Sequence, residues 1–326
     1  MMKEIDDTRI SLAVTLLALP SIGVFFLSDM LGWIFAWQGE VPILAALDSA
    51  GQQTEATSRL FVIAAALAGF GLSYLIVLRF IEDLRTEFGP EMLGWILRWY
   101  GGGILVGALW VTGGYLLVPT SAQPGGDLLP KAVGLFGSMQ GVPDNSLLYK
   151  FQVLAVCDRI AFMVAAGIVV TGGISSLVES KEPLTGEDAY AFFLHQRLRL
   201  RSYVNAAAGL LVISLLFQIA WMRWTLIAAT PAVADAMSHQ VDAWAVFTGV
   251  SGSIVIALFA IPAATILDAR ATGTPQTPSD GKTAPLLDAG LLPALGKVLV
   301  VLAPTLAGAL PTILDFAGKA TGLSPS

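Results

Sequence analysis

Two histidines and one cysteine are all that 326 residues offer to transition-metal or redox chemistry. Cys157 alone builds neither a disulfide framework nor a multi-cysteine zinc or iron–sulfur site. His239 has Asp235 four residues before it and Asp242 three after, which puts all three on one helix face. A metal or a proton would accept that spacing, but a solvated polar face has the same spacing and is the plainer reading. His195 stands in Phe192-Phe193-Leu194-His195-Gln196-Arg197, an amphipathic run whose polar edge meets headgroups or water. No Gly-x-Ser-x-Gly, His-Glu-x-x-His or lysine-bearing phosphate loop occurs. No metal, cofactor or enzymatic activity is expected.

The remaining polar residues sit in apolar surroundings, where each has a packing reading and a solute reading. Asp29, beside Trp33 and Trp37, is the acid expected within a span, either as a headgroup-level carboxylate or as part of a pathway. Ser73, Thr112, Tyr115, Asn205 and Gln218 are neutral groups that bond a neighbouring helix or line a solute path. Small residues recur at four-residue spacing, and Gly69, Gly103, Gly107, Gly114, Gly172 and Gly252 are expected at close helix contacts. Arg197, Arg199 and Arg201 alternate with leucines and are expected among lipid headgroups.

These residues need elements to hold them, and composition says which. The chain is 55% hydrophobic and 13% charged, against roughly a quarter charged in soluble domains. Lipid must therefore cover much of its surface. A net charge of −6 without a basic face excludes a nucleic-acid partner. Six segments have the length to cross the hydrocarbon: 10–37, 60–78, 99–118, 160–178, 203–227 and 243–267. Each must be helical, because lipid leaves open backbone groups without partners.

Lys and Arg set the orientation. With the N-terminus inside, the inner segments carry Lys3, Arg9, Arg79, Arg85, Arg98, Lys181, Arg197, Arg199, Arg201, Arg270 and Lys282. The outer segments carry Arg59, Lys131, Lys150, Arg159 and Arg223. The N-terminus is thus expected to be cytoplasmic, in a multi-pass protein of the cell membrane, with a bacterial inner membrane as the expected location.

Asp144-Asn145-Ser146 and Thr230-Pro231 are expected to open helices that project beyond the lipid. Thr185 with Asp188 forms a capping box that starts the helix leading into the fifth span, and Gly89-Pro90 closes a hairpin. A shift of 100 residues superposes Arg59-Leu60 on Arg159-Ile160 and Ala65-Ala66 on Ala165-Ala166, which fits either a faint parallel repeat or the shared composition of apolar helices.

The expected fold is all-α: a polytopic membrane helix bundle over 1–270 with about six transmembrane helices. A Pro/Thr-rich tether over 271–289 follows, then an apolar helix over 290–326 that lies on the membrane or makes a seventh span. Expected partners are membrane lipids and either further copies of the chain or other membrane subunits. Two functions fit: a channel or passive transport protein for a small solute or ion, or a non-catalytic scaffold subunit of a larger membrane complex.

Overall fold

The computed structural model describes residues 8–9, 16–35, 41–87, 94, 96, 98, 100–103, 105, 107 and 109, and then 127–141, 146–180 and 186–272. Among the described residues, six helices have defined bounds: α1 (Leu19–Phe35), α2 (Ser49–Glu87), α3 (Leu128–Met139), α4 (Ser146–Ser175), α5 (Gly186–Leu226) and α6 (Pro231–Thr272); helical positions also occur between 94 and 109. The strands among the described residues are β1 (Thr8–Arg9) and β2 (Glu179–Ser180), which pair antiparallel with Thr8 opposite Ser180. The protein is a helical membrane bundle. Among the described residues, four helices are long and apolar enough to cross a membrane: 49–85, 149–175, 191–226 and 231–271.

Those four correspond to the second, fourth, fifth and sixth expected spans. Of the first expected span, α1 describes 17 residues, about 26 Å of helix; residues 10–15 and 36–37 lie outside the described residues. Most of the third expected span lies outside the described residues, as do the Gly89-Pro90 hairpin, the tether beyond Thr272 and the C-terminal helix.

Local chemistry accounts for the helix starts. The Thr230 carbonyl accepts from the Val233 and Ala234 amides at 2.9 and 2.8 Å, so Thr230 is the cap and Pro231 fills the first position, where no amide partner is lost. α4 opens at Ser146 and α5 at Gly186, next to their expected caps. The long helices measure about 45–63 Å at 1.5 Å per residue, well beyond the hydrocarbon.

α5 is the hub of the bundle. It packs against α2, α4, α6 and α3, while α1 lies along α6. α3 was not anticipated from sequence. Its buried face of Leu128, Ala132, Val133 and Phe136 closes one end of the bundle as a cap. Asp127 ties that cap to the chain before α2, accepting from the Val41 amide at 3.0 Å while Lys131 donates to the Val41 carbonyl at 3.3 Å. An isolated bridge joins Ile43 and Ala229 beside it.

Candidate functional site

Three polar layers are spaced along the seam where α2, α4 and α5 meet. At the cap end, Glu55 is buried and accepts from the Trp224 indole at 3.0 Å, with the Arg59 guanidinium 3.5 Å away. Arg59 also donates to Gln140 at 2.9 Å. The Trp224 ring packs between Phe136 and Phe151, at centroid distances of 5.4 and 4.9 Å. Burying a carboxylate is tolerable here because a donor and a cation meet it.

At the opposite end, the Tyr203 hydroxyl donates to Asp83 at 2.6 Å, and Asp83 is 2% exposed. Arg79 and Arg199 approach the same carboxylate at 3.3 and 3.5 Å, and Arg199 donates to Ser175 at 3.1 Å. Gly172 makes this possible. A Cβ there would overlap the Tyr203 ring, so the missing side chain lets the ring lie across α4 and present its hydroxyl to Asp83. A cavity of about 150 Å³ opens beside this network, lined by Leu75, Ile76, Arg79, Ser202, Tyr203 and Ala206. It has room for several waters at roughly 30 Å³ each.

Between these ends lies Asp158. It shares a second cavity, about 10 Å³, with Gly69, Ser73, Phe162, Leu210, Ile213 and Ser214. That volume holds about one water. A Cβ at Gly69 would stand 2.9 Å from Asp158 Oδ1, so this glycine is what admits the carboxylate to α2. Asp158 makes no hydrogen bond or ion pair among the described residues. The two cavities are stacked. Ser73 and Leu210 line the smaller one, and Ile76 and Ala206 line the larger one, three and four residues away along α2 and α5. One helical turn separates them, filled by the buried side chains of Ile76 and Leu210.

Glu55, Asp83 and Asp158 inside the bundle correct the expectation that Asp29 is the acid within a span. The reason is geometric. α2 continues well past the apolar run 60–78, so Glu55 and Asp83 remain on its inward face. Asp158 precedes the expected span at Ile160, yet it meets Gly69, the midpoint of the second expected span, because α4 is displaced along α2.

The other expected residues scatter. Ser73 joins Asp158. Gln218 accepts from the Trp244 indole at 3.3 Å and links α5 to α6, while Asn205 is exposed. The Asp29 side chain, Thr112, Tyr115 and Gly114 lie outside the described residues. Gly252 faces Leu211, with 2.5 Å between an added Cβ and Cδ1, and Gly107 faces Met163 at 3.5 Å. Gly103 has open space instead.

The three arginines expected among headgroups divide. Arg199 is buried at Asp83, and Arg197 pairs with Asp268 at 2.7 Å between α5 and α6; Arg201 is exposed. His239 is also exposed. Neither Asp158 nor the Asp83 network carries a signal in one helix alone, because each is assembled from three.

No family model matches the chain, and neither a curated protein nor a solved structure gives a significant match to it.

Proposed function

We propose that this chain passes a small ion passively across the membrane along the α2–α4–α5 seam, with Asp158 as the group that receives it. One observation carries the reading: a carboxylate within the bundle, without a hydrogen-bond or ion-pair partner among the described residues, lies one helical turn from a larger cavity on the same seam. A carboxylate in an apolar bundle costs several kcal/mol, and such groups usually mark a pathway or pair with a partner. The Arg79 end faces the cytoplasm in this proposal, in keeping with the distribution of Lys and Arg.

Ile76 and Leu210 close the seam on one side of Asp158, and Val62, Ala66 and Phe217 close it on the other. The described arrangement is thus an occluded one. The same closure favours the second reading, a non-catalytic scaffold subunit in which the seam never opens.

Flux through the purified chain in liposomes separates the two. The expected result is ion flux above that of empty liposomes, lost in Asp158→Asn and raised in Ile76→Ala, which removes half of the layer between the cavities. Flux indistinguishable from empty liposomes for protons, Na⁺, K⁺ and Cl⁻ would leave the scaffold reading standing.

A further inference from the structure

We infer that the ion received at Asp158 is the proton, and that it arrives from the cavity at the Arg79 end; this rests on the path proposed above. The site itself restricts the ligand. Its charge selects a cation, and its volume of about 10 Å³ excludes anything larger than about one water. A divalent ion takes six or more oxygens, several of them carboxylate. Asp158 is a single carboxylate, accompanied by the two neutral hydroxyls of Ser73 and Ser214.

Among the described residues, no hydrogen bond or ion pair holds a counter-ion at the carboxylate. α2 turns Gly69 and Ser73 toward it, and α5 turns Leu210, Ile213 and Ser214, none of which titrates near neutrality. On its own helix, Arg159 is the charge that acts on it, from the next position. A carboxylate so placed is relieved of its desolvation cost by taking a proton. In the step itself, hydronium that has passed the Ile76–Leu210 layer from the larger cavity into the smaller one gives a proton to an Asp158 carboxylate oxygen and leaves as water. Release is the reverse.

The route is specified by the stacking of the cavities. Toward the cap, Val62, Ala66, Phe151 and Phe217 form a thick buried layer, whereas toward Arg79 one turn intervenes. Ala206 lines the larger cavity and offers little bulk, so a larger side chain there would fill it.

Infrared spectroscopy of the full chain in liposomes, with ¹³C in the aspartate carboxyls, tests the inference. At neutral pH a protonated aspartic-acid carbonyl band is expected, shifted by the label, absent in Asp158→Asn and retained in Asp83→Asn. The label identifies an aspartic acid in the unsubstituted chain, and Asp158→Glu, which keeps a carboxyl group, should move the band rather than abolish it. Transfer to D₂O should shift the band, severalfold more slowly in Ala206→Phe. A spectrum without the label-sensitive acid band, or with one that Asp83→Asn removes, overturns the inference; unchanged exchange in Ala206→Phe overturns the route. Failure here and failure of the path are separable. A protonated Asp158 without flux sinks the path alone, and Na⁺ or K⁺ flux past an ionised Asp158 sinks the proton alone.

Discussion

A Cβ at Gly172 would meet the ring of Tyr203, which is held against α4 by its hydrogen bond to a carboxylate that also receives two arginines. The ring cannot retreat without giving up that bond. Gly172→Ala should therefore destabilise the bundle by about 1–3 kcal/mol from overpacking, less up to about 1 kcal/mol gained from helix propensity. Gly103→Ala, with open space around it, keeps the propensity gain and loses nothing. Thermal unfolding in detergent should show a lower midpoint for the first and an unchanged or higher one for the second; the reverse order would remove the close-contact account of Gly172. The small-residue pattern identified this glycine from sequence, because four-residue spacing is a property of one helix. It did not reveal the ring that Gly172 accommodates, which comes from another.

The cap helix α3 depends on a short polar clasp. Burial pushes the Asp127 carboxyl up, but the Lys131 ammonium and the Val41 amide outweigh it and hold the group below the ordinary carboxylate range. A carboxyl whose folded value is depressed contributes stability that is fully present above its unfolded value. That contribution is lost as pH falls through the lowered folded value. The cap should thus loosen at the acid end, below the ordinary carboxylate value of roughly 3.9, and stay closed at neutrality. Hydrogen exchange across 128–139 should rise as pH is lowered through that range, after correction for intrinsic rates. In Asp127→Asn the protection should be lower at neutral pH and lose this acid dependence; a wild-type pattern in the variant would show that the clasp does not hold the cap. α3 was missed because its 12 residues are too few to stand out as a span, although Leu128, Ala132, Val133 and Phe136 carry a helical spacing.

At the scale of the molecule, Gln52, Gln140 and His239 are exposed toward the cap end, and Arg85 is exposed at the Arg79 end. With the expected orientation, single cysteines at the first three positions in a Cys157→Ala background should label from outside intact cells. A cysteine at Arg85 should label only after permeabilisation. The inverse pattern would reverse the direction of the proposed path without altering the bundle.

Composition and the lengths of apolar runs determined the class of molecule, since helices are the way an open chain satisfies its backbone in lipid. Caps such as Thr230-Pro231 set helix starts for an equally local reason: the unsatisfied amides of a first turn are met by residues beside it. What the tertiary structure alone decided is which charges are inside. Arg199 and Arg201 are two residues apart in an alternating run, yet one is buried on Asp83 and the other is exposed. Two residues turn a helix by roughly 200°, and which side faces the bundle depends on the neighbours that α5 acquires. Asp158 stands next to Gly69 for the same kind of reason: depth in a bundle follows from how far one helix slides along another, a quantity no single helix contains.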